Sequence, residues 1–391
     1  MQEHQQGTAR REPVVCVKYT DLQSGADLCS AIEQAYGNEG LGILAVTGVP
    51  NLQVLRAKLL PLAKTLAELP AEVQAELEHP SSSYMFGWSL GKERLSSGTP
   101  DFSKGSYYAN PVYDRPVDDE SQIAQFPASI HPNIWPTKHL PDLEPAFKVL
   151  GQLVIAVGVL VARQCDAYAA RARPGYSGGL ERMVAASRCA KGRLLHYFPL
   201  GEGRGSDNGG SAQRAATSPA AAPPPSPPLE GASFSDWCGW HLDHGSLTGL
   251  VPAMHLDARG AEVTCPDPAS GLHVMSRRGE LVRPVAPEGC LLFQVGEAAQ
   301  VQSGGALRAT PHAVRAISRS GSGGAAAVSR ETFAVFMQPM CEEAMVAPEG
   351  GLRGEGGDEH LPRGVAPLHT RWEPGISFGE FVRRTMRAYY G

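Results

Sequence analysis

The sequence predicts a mainly β protein with flanking helices, and three observations carry that reading. Short apolar runs of strand length occur at residues 40–50, 290–295 and 332–337, with Gly and Pro punctuating the chain around them. Polar residues are paired at i and i+2 in two places, His241 with Asp243 and Arg330 with Thr332, a spacing that puts both members on one face of a strand. One apolar stretch, residues 141–168, is far too long for a strand and reads as a buried helix backing the sheet.

Taken in chain order, residues 40–50 form a short buried strand closed by a Gly and Pro turn. Leu52, Leu55, Leu59, Leu62 and Leu66 then recur at helical spacing. Pro61 is expected to kink or break that helix, because it lacks an N–H and crowds the preceding turn. This leucine stripe is core rather than a cofactor contact. Residues 71–78 make a second short helix, and residues 141–168 a long one although their Val and Ile content favours a strand. Residues 201–231 are rich in Gly, Ser, Ala and Pro and too poor in apolar surface to order themselves, so a disordered surface loop is expected there. Residues 257–287 read as an extended hairpin, and 290–295 as a buried strand followed by the turn-rich Gln302-Ser-Gly-Gly305. A smaller Gly, Ser and Ala insert spans 318–328, and a Gly-rich connector, 349–364, leads to a C-terminal helix at 377–390. The expected division is an N-terminal α/β portion, 13–140, and a core, 141–391.

The chemistry starts from His241 and Asp243, which can face one ion while Leu242 points into packing. A third donor has to come from another strand, and His312, beyond the apolar run at 290–295, is the candidate. Two imidazoles and a carboxylate on one face of an ion leave three positions open, as non-haem Fe(II) oxygenases need for a chelating co-substrate and dioxygen. A structural zinc site would fill all four of its positions. The chain has 12 histidines, and a lone one is more often a surface or core residue than a ligand. What strengthens the reading is Arg330 with Thr332: a guanidinium takes a carboxylate in a bidentate grip, and the hydroxyl adds a bond to the same oxygens. Glu331 points to the opposite face and is poorly placed to neutralise Arg330.

On these residues the chain resembles the isopenicillin N synthase-like branch of the Fe(II)- and 2-oxoglutarate-dependent dioxygenases. That family carries His-x-Asp, a distal His and Arg-x-Ser, matched here by His241, Asp243, His312 and Arg330-Glu-Thr332. Residues 291–297, Leu-Leu-Phe-Gln-Val-Gly-Glu, are similar to the family's strand and Gly-Asp/Glu turn. Residues 193–199, Arg-Leu-Leu-His-Tyr-Phe-Pro, are similar to its Arg-x-x-Asn-Tyr-Tyr-Pro, with His196 and Phe198 in place of the Asn and the second Tyr. Those two help hold the co-substrate in the family, so the change removes one phenol from the expected contacts. The resemblance implies a double-stranded β-helix, a distorted jelly roll with an N-terminal helical portion and backing helices. It also implies Fe(II) on His241, Asp243 and His312, 2-oxoglutarate held through its far carboxylate by Arg330 and Thr332, and dioxygen as oxidant. The implied reaction is oxidation, usually hydroxylation, of a small molecule with release of succinate and carbon dioxide.

Composition agrees with an enzyme of small molecules. The chain has 391 residues and a net charge of −5, which gives no reason to expect nucleic acid, a membrane surface or an obligate protein partner. Its eight cysteines show no Cys-x-x-Cys and no disulfide-like spacing, and its start has no apolar core of a signal peptide. A cytoplasmic location is expected, with a plastid address left open. At the mouth of such a fold, Tyr84-Met-Phe-Gly-Trp88, Lys92 and residues 101–110 make a polar and aromatic segment; Lys92 or Lys104 would meet an acidic substrate, or else be ordinary solvated lysines. His244 reads as structural. Three rivals stay open on sequence: an iron oxidase of the same fold that needs no 2-oxoglutarate, a non-catalytic ligand-binding member, and a zinc hydrolase. The last has no use for Arg330 and Thr332 and lacks a well-placed general-base Glu.

Overall fold

The computed structural model describes residues 9–93, 99–199, 236–317, 328–352 and 360–390. The expected loop at 201–231, most of the insert at 318–328 and the middle of the connector at 349–364 lie outside the described residues. The strands are β1 (Arg10–Pro13), β2 (Val15–Lys18), β3 (Ile43–Thr47), β4 (Gly87–Leu90), β5 (Lys104–Ala109), β6 (Lys191–Tyr197) and β7 (Asp236–His241). They continue with β8 (Leu247–Leu250), β9 (Met254–Leu256), β10 (Gly271–Met275), β11 (Leu281–Val285), β12 (Leu291–Val295), β13 (His312–Arg315) and β14 (Ser329–Met337).

Two sheets result. The smaller runs β1-β11-β10-β13-β7, and the larger runs β2-β3-β12-β8-β14-β6-β5-β4, with β9 added against β14. Neither closes on itself. Their inner faces meet in two apolar clusters. Val14, Ile43, Ala45, Val274 and Val282 fill one; Leu195, Tyr197, Trp237 and Ala316 fill the other. This is the jelly-roll sandwich expected.

The outer face of the larger sheet is covered by the helix Leu143–Ala172. Phe147, Leu150, Val154, Val157, Val161 and Cys165 recur every three or four residues along it and are all fully buried, each large side chain contributing roughly 1.5–3 kcal/mol. Its length and apolarity would suffice to cross a membrane, yet this stripe packs on the sheet, with Phe147 edge-on to Phe333 at 4.8 Å. Amphipathic burial therefore overrides the strand propensity of its Val and Ile residues. Gly249 in β8 permits the approach, since a Cβ there would stand 2.2 Å from Val154 Cγ1. The leucine-rich helix breaks at Pro61 as expected, into Leu52–Leu59 and Pro61–Ala67. Residues 257–287 hold the hairpin of β10 and β11. Between β12 and the turn-rich segment 302–305 lies an unforeseen short helix, Glu297–Gln302.

Candidate metal centre and carboxylate clamp

β7 and β13 are antiparallel neighbours, and their register sets His312 directly opposite His241. The two rings lie 4.2 Å apart between centroids. Asp243 follows β7 in an irregular turn that brings its carboxylate up beneath both. Its Oδ1 is 3.9 Å from His241 Nε2, and its Oδ2 is 3.8 Å from His312 Nε2. The three donors lie within 4.8 Å of one another.

Backbone carbonyls fix which imidazole nitrogen faces the centre. His241 Nδ1 donates to Gly239 O at 2.8 Å, and His312 Nδ1 donates to Thr310 O at 3.1 Å. A carbonyl only accepts, so Nδ1 carries a proton in both rings, and Nε2 is the nitrogen turned to the centre, the one that binds a metal once it is unprotonated. Asp243 Oδ2 is buried with no hydrogen-bond partner among the described residues. A buried carboxylate oxygen with no hydrogen-bond partner is costly unless a cation completes it. The donor set therefore fits a divalent metal.

Electrostatics favour an anionic Asp243 and a neutral His312. Burial opposes charge on Asp243, but His312 and then His241 hold its carboxyl below the usual carboxylate range. Burial, aided by His241, pushes His312 down to about 4, so that ring is neutral near pH 7. His241 moves up to about 9: burial works against its charge, and negative charge on the Cys238 sulfur beside Nδ1 and on the Asp243 carboxylate outweighs it, so a metal bound at Nε2 would have to displace a proton from this ring. That thiol stands 3.8 Å from His241 Nδ1, a neighbour that sequence reasoning missed. His241 is 31% exposed against 6% for Asp243 and 8% for His312, which marks the open side of the centre.

Arg330 and Thr332 lie in β14, and alternation divides that strand between two faces. Phe333 and Met337 meet the long helix at Gly151 and Gly158. Arg330 turns inward, its guanidinium 5.0 Å from the centre of the Tyr197 ring. Tyr197 in turn packs on Trp237 of β7 at 5.0 Å. Arg330 thus shares the sandwich interior with the β7 strand that bears His241. Its Nη1 is buried and has no hydrogen-bond partner among the described residues. Glu331 faces outward, as expected, and is occupied there by His196 Nδ1 at 2.9 and 3.0 Å and by Ser329 Oγ at 2.7 Å.

The same alternation revises the expectation for residues 193–199. His196 faces outward with Phe198 beside it at 4.5 Å, and Tyr197 is the member that faces the clamp. The interior keeps a phenol, one position earlier than the family motif places it. Lys92 pairs with Glu78 at 2.8 Å. Lys104 is 5% exposed and pairs with Asp101 and with Glu93 at 3.1 Å. Lys92 is an exposed lysine as the plainer alternative has it, Lys104 is buried, and both are paired with carboxylates. His244 Nε2 meets Gln338 Nε2 at 3.1 Å, and its ring stacks on Phe378, a structural setting as expected.

The two-sheet sandwich with this triad has the fold of the 2-oxoglutarate Fe(II) oxygenases. Among solved structures it is similar to a full-length Neurospora crassa protein in complex with alpha-KG and thymine, with a TM-score of 0.61, 17% identity and 99% of each chain covered. It is similar also to a putative 2OG-Fe(II) oxygenase family protein from Caulobacter crescentus, with a TM-score of 0.58, 16% identity, and 96% of this chain and 98% of that one covered. A third likeness is to the dioxygenase for auxin oxidation in rice, with a TM-score of 0.54, 17% identity, and 96% and 95% covered. No family model and no curated protein matches the sequence.

Proposed function

We propose that this protein is an Fe(II)- and 2-oxoglutarate-dependent oxygenase that hydroxylates a small organic molecule, releasing succinate and carbon dioxide. The observation that carries the reading is the pair of unsatisfied buried groups inside the sandwich, Asp243 Oδ2 and Arg330 Nη1. One calls for a cation, the other for an anion, and a metal-chelating dicarboxylate supplies both.

His241, Asp243 and His312 would hold the metal through Nε2, a carboxylate oxygen and Nε2. Bound there, Fe(II) with 2-oxoglutarate would activate dioxygen and oxidise a C–H bond of the substrate. Arg330 would grip the far carboxylate of the co-substrate, and Thr332, buried on the same face, would add its hydroxyl. Tyr197 holds the guanidinium over its ring. Leu195, Trp237 and Ala316 form a buried apolar cluster with Tyr197 and would help keep water from the clamp. Lys92 and Lys104 already carry carboxylate partners, so neither is proposed as the anchor for an acidic substrate group. The structural likeness to the Neurospora crassa protein bound to thymine supports a small, polar substrate. A cytoplasmic site of action is part of the proposal, supported by eight free thiols.

The test is turnover of the co-substrate. Purified protein given Fe(II), ascorbate and 2-oxoglutarate in air should form succinate, slowly without a prime substrate and faster with the correct one. His241→Ala should form none. Failure of the wild-type protein to consume or bind 2-oxoglutarate would leave the oxidase reading in its place.

A further inference from the structure

We propose that the short helix Glu297–Gln302, anchored from the C-terminal segment by Arg371, sets the geometry of the metal centre, with Glu297, Gln300 and Arg371 as positioning residues. The inference rests on the reading of His241, Asp243 and His312 as metal ligands.

The helix touches both ligand-bearing segments. At its start, Glu297 N donates to Asp243 O at 2.8 Å, Gly296 N to Ser246 O at 3.0 Å and Ala298 N to Gly245 O at 3.1 Å. Three consecutive N–H groups thus grip the turn that presents the Asp243 carboxylate. The approach is so close that a Cβ on Gly296 would stand 2.1 Å from Gly245 O. Further along, Gln300 Oε1 accepts from Ala309 N at 2.8 Å. Arg277 holds the same run, donating to Arg308 O, Ala309 O and Thr310 Oγ1 at 2.9 Å. Thr310 O is the acceptor for His312 Nδ1. One short element therefore fixes the spacing between Asp243 and His312.

A six-residue helix is not stable alone, so something else must hold it in place. Glu297 and Arg371 are each 1% exposed. Arg371 Nη1 donates to Glu297 Oε2 at 2.9 Å, and Nη2 donates to Oε1. The guanidinium also bonds Thr385 Oγ1 in the helix Phe378–Tyr390 and Ala366 O, both at 2.9 Å. A buried ion pair is a poor source of net stability, but its bidentate fork fixes direction. The C-terminal segment, which bears none of the proposed ligands, is thereby coupled to Asp243.

The experiment measures metal affinity in the absence of 2-oxoglutarate, using Mn(II) for the dissociation constant and Co(II) for the visible ligand-field bands. Arg371→Gln and Gln300→Ala should each weaken Mn(II) binding by roughly tenfold to a hundredfold, the range for groups that support metal ligands from behind, and should alter the Co(II) bands at a temperature where circular dichroism shows the native fold. Arg371→Lys, which keeps the charge, should recover part of the loss. Arg384→Gln, on the same C-terminal helix but bonded to Glu373 and Glu380, should leave the affinity unchanged. Wild-type affinity and unchanged Co(II) bands in Arg371→Gln and Gln300→Ala would overturn the proposal. Should Arg371→Gln fail to fold, Gln300→Ala and Arg371→Lys decide. If the wild-type protein binds no Mn(II), or binds it equally after His241→Ala, the ligand assignment itself falls and the positioning role with it.

Discussion

Asp243 and Arg330 each bury a polar atom that no described neighbour satisfies, and those two atoms have opposite needs. Removing them should have separable effects. Asp243→Ala takes away the anionic donor, and loss of stoichiometric Fe(II) is the expected result, read by metal analysis after gel filtration. Arg330→Ala leaves the metal ligands intact. It should weaken 2-oxoglutarate by about 30-fold or more, the consequence of losing ~2–5 kcal/mol from a buried charged pair, with Mn(II) affinity unchanged. Calorimetric titration of the Mn(II) form checks this, and equal weakening of both ligands would contradict the division of labour. These residues were legible in the sequence because i and i+2 parity is intrinsic to an extended chain. The inward direction of Tyr197, and the outward one of His196, were not. They depend on how β6 registers against β14, with Tyr197 opposite Arg330, and register is a property of paired strands rather than of either alone. Cys238 beside His241 Nδ1 was missed for a similar reason: at i and i+3 it would leave the opposite face of a regular strand, and the irregular register of β7 against β13 brings it back.

Among the elements, the long helix and the larger sheet depend on each other through small residues. Gly249 meets Val154, and Gly158 meets Met337 and Phe293. Gly249→Ala should push the helix off the sheet at a fully buried point and cost roughly 1–3 kcal/mol, as overpacking of a dense core does. A urea midpoint unchanged by that substitution would mean the contact yields without strain. The strand at 43–47, the break at Pro61, the helix over 143–172 and the C-terminal helix were all legible, because each carries either a strong period or a breaker. The helix Glu297–Gln302 was not, for its residues Glu-Ala-Ala-Gln-Val-Gln give too short a window for periodicity to speak. Its existence is decided by tertiary bonds to Asp243, far before it in the chain, and to Ala309, a short way after it.

At the scale of the whole molecule, charge is buried in a balanced cluster that joins β5, β6 and the segment after β4. Burial opposes ionisation of Glu93, but Arg193 and Lys104 outweigh it and hold the carboxyl down to about 2. A carboxyl whose folded value lies below its unfolded one gives stability that is complete above the unfolded value and fades as pH falls through the folded one. The molecule should therefore lose stability progressively from about pH 4.5 toward pH 2, a few kcal/mol of it through Glu93, as urea unfolding at stepped pH would show. Glu93→Gln should be less stable than wild type at pH 7 and approach it only near pH 2, and parallel acid profiles would remove Glu93 from the cause. The sandwich as a whole was legible only through the motifs, since short strands separated by long inserts give weak periodicity of their own. In the proposed reading, one interior holds both a metal and a chelating dicarboxylate. Its most direct test is anaerobic addition of Fe(II) and then 2-oxoglutarate to the purified protein, watching for the weak visible charge-transfer absorption of the chelate. The band should appear with wild type, be lost with His241→Ala and need more 2-oxoglutarate with Arg330→Ala. Iron binding with no band at saturating 2-oxoglutarate would contradict it.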